Sequence, residues 1–382
     1  MTTPGTTSSP PNFGDGILRF PSASQVLTDA IEARAFPGCA FGVLAGGGFF
    51  EGGLGRFTYE PGSPAVTAGT VFDVASLTKV VATTAAAMLL DQRGRLEIDV
   101  PLGALIPDFV ARRAPDDPAR RVTLRHLLAH NAGLPGYVRL FEKASTPAAL
   151  MRACLALQLE AEPGTRVEYS DPGFILLGAA LEVLIGEPLP GWVRREVFAP
   201  LVMTATEFCP APELRAVIPP TEEDRSFRKR RIQGEVQDEN AYVLGGAAGH
   251  AGLFSCVPDL LRFAEAILNA GIARESSGVQ PCLFDRRTVE SFATRQEPKG
   301  SSRALGWDTP SEKSSSGRYF SRHSIGHLGY SGCSLWIDLD AGVAVVLLTN
   351  RTWPHRDSQL IREVRPAFHD TVRETLGSSV EI

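Results

Sequence analysis

No stretch of this chain is long and apolar enough to cross a bilayer. Its longest charge-free apolar run, Val80 to Leu90, is about half of the ~20 residues a membrane helix requires. The opening MTTPGTTSSPPNFGDGILRF lacks a basic residue before Arg19 and lacks an apolar core, so it is not patterned as a signal peptide. Residues 1–17 are expected to form a disordered leader, and the protein to be cytoplasmic. The six cysteines (Cys39, Cys154, Cys209, Cys256, Cys282 and Cys333) include no CxxC pair. A chain of this size needs no disulfide staples, so buried free thiols are expected. Strong charge is missing as well: a net charge of −5 gives no global attraction to nucleic acid or an anionic membrane. Partners are therefore expected to be small molecules, and the oligomeric state is left open.

Two further absences narrow the chemistry. His126 and His130 stand four apart, but the HExxH glutamate is missing, and His250 and His323 are remote in sequence, so no metal site is expected. Gly46-Gly47-Gly48 belongs to neither GxGxxG nor GxxxxGK[ST] and reads as a hairpin turn, so no cofactor is expected.

What is present is a change of pattern along the chain. CAFGVLAGGGFFEGGLGRFTYEPG reads as a β-hairpin. Helix signals then dominate: Lys79 to Gln92, TLRHLLAHNAGL, STPAALMRACLAL capped by Ser145 or Thr146, DPGFILLGAALEVLIG, and SCVPDLLRFAEAILNAG closed by Gly271. Near the end CSLWIDLDAGVAVVLLTN reads as two strands around a turn, followed by a closing helix. The fold expected is α/β (α+β): an antiparallel sheet built from both chain ends, flanked by helices, with a mostly helical region inserted. Residues 18–382 form one unit, with an α/β part at about 18–95 and 300–382 and a helical part at about 96–299. Two long loops, 210–241 and 296–324, are candidate lids. The basic cluster Arg225, Arg228, Lys229, Arg230 and Arg231 follows Glu222, Glu223 and Asp224, which marks a salt-bridged face.

The stretch FDVASLTK places Ser76 and Lys79 three residues apart at the head of an apolar helix, where their side chains meet. The helix N-terminus favours negative charge on the serine oxygen. The same field and partial burial are expected to lower the Lys79 pKa, giving the nucleophile a base. Tyr169-Ser170-Asp171 supplies a tyrosine able to move protons, with Asp171 before Pro172 equally suited to cap a helix. In His327-Leu328-Gly329-Tyr330, the glycine opens a strand edge. The Tyr330 N–H is placed to join that of Ser76 as an oxyanion hole, and His327 to form a positive or hydrogen-bonding wall. His250, in GGAAGHAGLF, either lines the cleft or finishes a glycine-rich turn.

In this order, SLTK, YSD and HLG resemble the three motifs of the serine β-lactamase and penicillin-binding protein superfamily. The likeness is to its class C β-lactamase-like branch of esterases, DD-carboxypeptidases and D-aminopeptidases, and it extends over GRFTYEPGSPAVTAGTVFDVASLTKVVATT, LRHLLAHNAGLP, GGAAGHAGLFS and LLTNR. The resemblance implies Ser76 as acyl-forming nucleophile, Lys79 as its partner, Tyr169 as general base and acid, and His327 with Gly329 as the strand-edge wall. It also sets Trp307 at the pocket border. Asp171 stands where many relatives have asparagine, and its charge would favour the Lys79 ammonium and Tyr169 as base. Leu328 replaces a threonine and His327 a lysine, which weakens the case for β-lactams and DD-peptides and favours a neutral ester or amide, with small esters placed first and β-lactamase, DD-carboxypeptidase or D-amino-acid amidase activity as the alternatives. A catalytically silent binding or scaffold protein on the same fold is the reading from a different class.

Overall fold

The computed structural model describes residues 13–271 and 282–377. Its centre is a six-stranded sheet in the spatial order Phe13–Asp15, Gly48–Gly55, Gly38–Ala45, Val343–Thr349, Ser334–Asp338 and Ser324–Leu328. All neighbours run antiparallel except the first pair, which is parallel. The hairpin turns through Gly46 and Gly47, both at positive φ (56° and 75°), the backbone a tight two-residue connection requires. The sheet thus joins the two ends of the chain, and the hairpin comes from the first end.

Side chains alternate across it. Phe41, Val43, Val345, Leu347 and Trp336 pack with Phe20 and with Leu27 and Phe368 from the helices Pro21–Glu32 and Ile361–Gly377. Ala40, Leu44, Val346 and Leu348 face the larger core of the opposite side. There the Val257–Leu268 helix lies on the sheet, and Gly42 permits it, because a Cβ at 42 would stand 2.4 Å from Val257. This helix sits on the sheet although its place in the chain assigns it to the helical part, so the boundary expected from sequence separates the two parts too simply. The helices Leu124–Leu128, Pro147–Leu155 and Asp171–Ile185 belong to the inserted region, each opened by a side-chain cap, from Thr123, Thr146 and Ser170.

Other expectations need correction. Residues 13–17 are not part of a leader: Phe13 packs edge-on against Phe49 at 5.2 Å, anchoring a strand, and Asp15 caps the short Gly16–Arg19 helix. Residues 1–12 lie outside the described residues. The loop at 210–241 contains a hairpin, Glu222–Asp224 with Arg230–Ile232, and a short helix, Glu239–Val243. Its arginines are largely salted: Arg228 to Asp224, Arg230 to Glu235 and Arg231 to Glu223. Cys39, Cys154, Cys256 and Cys333 are buried free thiols, but Cys209 is exposed.

Candidate active site

The turn that carries Ser76 is tied down from several directions. Ser76 lies in a 3₁₀ turn, Ala75–Leu77, that runs into a π-helical segment, Lys79–Thr84, and then the α-helix Ala85–Gln92. Such irregular helical turns concentrate at functional positions. Ala75 sits at φ 49°, a strained backbone for a residue with a side chain. Its N–H donates to the buried Asp73 carboxylate at 2.8 Å, and Asp73 also accepts from the Gln237 N–H at 2.7 Å. Burial pushes the Asp73 carboxyl up to about 6, against the pull of those two N–H donors. Thr78 donates to the Ala75 carbonyl at 2.6 Å, locking the turn from the other side.

Lys79 is fully buried. Its ammonium donates to Ser76 Oγ at 3.1 Å, to Asp171 Oδ1 at 2.7 Å and to the His250 carbonyl at 3.0 Å, and so uses all three of its protons. Burial by itself would lower its pKa. The Asp171 carboxylate and the Tyr169 hydroxyl outweigh that, and Lys79 is held above its ordinary value. The expected lowering is therefore overturned, because a charge 2.7 Å away is stronger than the field of a helix end. Tyr169 interacts through its hydroxyl with both Lys79 and Ser76, yet burial and the Asp171 charge keep its pKa above the usual tyrosine value despite the lysine. Asp171 does not cap the helix. Ser170 does, accepting from the Gly173 N–H at 3.1 Å, and this leaves Asp171 free to reach Lys79.

The third segment is brought in by the last part of the sheet. Gly329 follows the Ser324–Leu328 strand, and a Cβ there would stand 2.5 Å from the Val74 carbonyl. Only glycine lets this chain press against the Ser76 turn. Ser331 Oγ completes the join by donating to the Asp73 carbonyl at 2.8 Å. Arg351 and Arg365 hold the following loop from behind, on the carbonyls of Tyr330 and Gly329 at 2.9 and 2.7 Å. Among the described residues, neither the Ser76 nor the Tyr330 backbone N–H donates to a protein acceptor. His327 is buried, and its Nδ1 donates to the Leu328 carbonyl at 2.9 Å. Burial, with Lys79 and Arg303 nearby, holds it well below the ordinary histidine pKa, so it is a neutral wall rather than a positive one.

These groups surround one cavity of about 850 Å³, lined by Ser76, Tyr169, Asp171, His250, His327, Gly329 and Tyr330 among others. His250 lines the cavity, where its ring meets Asp238 at 2.9 Å and its carbonyl takes the lysine. Trp307 does not border the cavity. It is fully buried in the core, stacked on Phe263 with ring centroids 6.4 Å apart. Sequence reasoning missed the role of His130, whose ring lies tilted against Tyr169 with centroids 4.6 Å apart while its Nδ1 accepts from the Ser170 N–H. It also missed Arg303, whose guanidinium lies 5.3 Å from the centre of the Tyr169 ring. Two cations therefore flank that ring, Lys79 at 4.9 Å being the other. Neither residue carries a local signal, since both act through Tyr169 from distant parts of the chain. Among the described residues no cluster suited to a metal ion occurs.

The Beta-lactamase family model matches residues 23–367. An N-acetylmuramyl-L-alanine amidase of Bacillus subtilis (strain 168) is 32% identical over 308 residues, 74% of this chain and 68% of the relative. A protein of Escherichia coli (strain K12), provisionally named a D-alanyl-D-alanine carboxypeptidase, is 31% identical over 315 residues, 76% of this chain and 70% of the relative. Among solved structures, EstCE1, described as a hydrolase with promiscuous acyltransferase activity, matches with a TM-score of 0.70 at 21% identity. It covers 91% of this chain and 99% of its own, and at that identity the likeness is one of fold. With the fold, the three motif segments around one cavity and the match over most of its length, this chain belongs to the Beta-lactamase family and is a serine hydrolase of that fold.

Proposed function

We propose that the protein hydrolyses small acyl donors through an acyl-enzyme on Ser76, with neutral esters as its preferred class. The observation that carries this is the fully buried Lys79, anchored on Asp171 and donating to Ser76 Oγ at 3.1 Å. An ammonium with all three protons engaged has no lone pair to offer, so the serine proton goes to Tyr169 in its phenolate form. Ser76 Oγ attacks the carbonyl carbon, and the tetrahedral oxygen is received by the N–H groups of Ser76 and Tyr330. Tyr169 returns the proton to the departing alkoxide or amine. Water, deprotonated by the same phenolate, then attacks the acyl carbon, and Ser76 recovers its proton as the acid leaves.

Leu328 offers no hydroxyl beside the nucleophile and His327 no charge, which supports an uncharged group at that position. Amides form the second reading, supported by the two curated relatives, named as an amidase and a carboxypeptidase. The test is a fluorophosphonate probe followed by mass spectrometry, with esters and amides of one acyl group compared in turnover. The expected result is one adduct on Ser76 and faster ester cleavage. An unlabelled wild-type protein would favour the silent scaffold, and faster amide cleavage would reverse the order of substrates.

A further inference from the structure

One ionisable pair lines the cavity and takes no part in the acyl-transfer steps. The His250 ring, only 1% exposed, meets Asp238 Oδ1 at 2.9 Å, and both residues face the same cavity as Ser76. Burial pushes the Asp238 carboxyl up, but the His250 ring, the Ala241 N–H and the Lys79 charge outweigh it and hold Asp238 below the ordinary carboxylate range. An ionised carboxylate can only accept, so the proton of this contact sits on His250 Nε2. His250 Nδ1 is buried without a hydrogen-bond partner among the described residues, which leaves Asp238 as the ring's anchor.

The pair matters through the backbone it holds. From Gly245 to Gly252 the chain reads GGAAGHAG, and His250 carries the one side chain there longer than a methyl group. Gly245, Gly246 and Gly252 lie at positive φ, so this backbone has little stiffness of its own. Thr83 donates to the Gly249 carbonyl at 2.6 Å, and the Leu253 N–H donates to Thr78 at 3.1 Å, which fixes the two ends. One turn bond, from the Ala248 N–H to the Ala251 carbonyl at 3.1 Å, closes the segment on itself. The N–H groups of His250 and Ala251 donate to no protein acceptor among the described residues. The carbonyl between them accepts from Lys79 at 3.0 Å, and the ring on Asp238 is its side-chain anchor. Asp238 is a firm base: it caps the Glu239–Val243 helix by accepting from the Ala241 N–H at 2.7 Å, and Arg228 donates to the carbonyls of Val236 and Gln237 just before it. The Gln237 N–H is also a donor to Asp73. Two adjacent residues, Gln237 and Asp238, thus brace the Ser76 turn on one side and the Lys79 acceptor on the other.

We propose that Asp238 and His250 are a positioning pair for the acyl transfer: the ring, anchored on the carboxylate, fixes the carbonyl that holds the Lys79 ammonium in line with Ser76 Oγ. A fully buried ammonium needs an acceptor for each proton. If this carbonyl turns away, Lys79 shifts to find another and leaves Ser76 Oγ out of line. This deepens the hydrolase reading and rests on it for the reaction, but the placement of Lys79 does not require turnover.

The experiment has two arms. In the first, turnover of a p-nitrophenyl ester is compared in wild type, His250→Leu and His250→Gln, whose side-chain amide donates from the place of Nε2. His250→Leu is expected to lose about 100-fold in kcat with KM changed less than about twofold, the scale of a displacement near 1 Å at a reacting group. His250→Gln is expected to recover most of that loss. If His250→Leu does not fold, Asp238→Ala against Asp238→Asn makes the same comparison, because asparagine keeps the acceptor and the helix cap and alanine keeps neither. In the second arm, the Lys79 ammonium is observed by NMR in protein carrying isotopically labelled lysine, as a slowly exchanging N–H signal identified by its loss in Lys79→Met. The signal is expected in wild type and in His250→Gln, and is expected to vanish from the leucine or alanine variant. That pattern without ester turnover in wild type would retain the pair and sink the hydrolase reading. Ester turnover that falls less than about threefold in the leucine or alanine variant, changes only in KM, or falls as far in the conservative variant would overturn the pair's role. So would a Lys79 signal identical in all the variants that keep the lysine.

Discussion

Asp171→Asn isolates the interaction on which the site's protonation depends. It replaces the charged acceptor 2.7 Å from the Lys79 ammonium with a neutral one of similar shape, so the contact survives and the charge does not. A hydrogen bond to a charged partner contributes about 1.5–3 kcal/mol, against about 1 kcal/mol for a neutral one. The loss at pH 7 is thus about 1–2 kcal/mol. Lys79 is fully buried, so with the carboxylate gone burial dominates and its pKa falls below the ordinary value. In wild type the folded-state pKa lies above the unfolded one. The stabilisation is therefore fully present below the unfolded pKa and is lost only as pH rises through the folded one. In the variant the order is reversed, and stability rises with pH from the lowered pKa up to about 10. Urea unfolding at pH 7 and pH 9 reads the difference. Between those values the variant is expected to gain stability with pH relative to wild type. Identical pH dependence in the two proteins would refute the assignment of Lys79 as an Asp171-stabilised ammonium.

Three further outcomes are expected. Because Tyr169 ionises above the usual tyrosine value, kcat/KM for a small ester should rise about tenfold per pH unit from pH 6 to pH 9; a plateau reached below pH 8 would remove Tyr169 as the base. Gly329→Ala puts a Cβ 2.5 Å from the Val74 carbonyl and forces the Tyr330 N–H away from Ser76, so kcat should fall about 100-fold with KM little changed. A loss under threefold in steady-state assays would show that this N–H is not used. For Asp73 the folded carboxyl pKa is raised to about 6, so its stabilising contribution is present at pH 4 and lost as pH rises through 6, about 3 kcal/mol in all. Asp73→Asn removes that slope, and urea unfolding at pH 4 and pH 7 should show it; equal slopes would contradict the assignment.

Which parts were legible in the sequence depended on how local their causes are. The hairpin was legible because Gly46-Gly47 supplies both positive φ values, and the helix after Ser170 because its cap and Pro172 are adjacent to it. The Pro21–Glu32 helix and the Phe13–Asp15 strand were not. The strand is three residues long and exists only by pairing with Gly48–Gly55. The motif residues were legible because Ser76 and Lys79 share a helical face, but for the lysine's pKa the helix-end field and the Asp171 charge pointed in opposite directions. The outcome is decided by Asp171, 92 residues away, against a purely local helix-end argument. Asp73 carries the same lesson, since its second donor, Gln237, lies 164 residues off. Trp307 was misplaced because the resemblance alone put it at the pocket border, whereas its packing on Phe263 holds it in the core.

The central claim is a covalent bond at one atom, Ser76 Oγ. Turnover of a slowly hydrolysed ester, quenched in acid and mapped by peptide mass spectrometry, reads that bond directly. The account predicts the acyl mass on the peptide containing Ser76, and its complete loss in Ser76→Ala at an unchanged melting temperature. Acyl mass on any other residue, or undiminished turnover in Ser76→Ala, would contradict it.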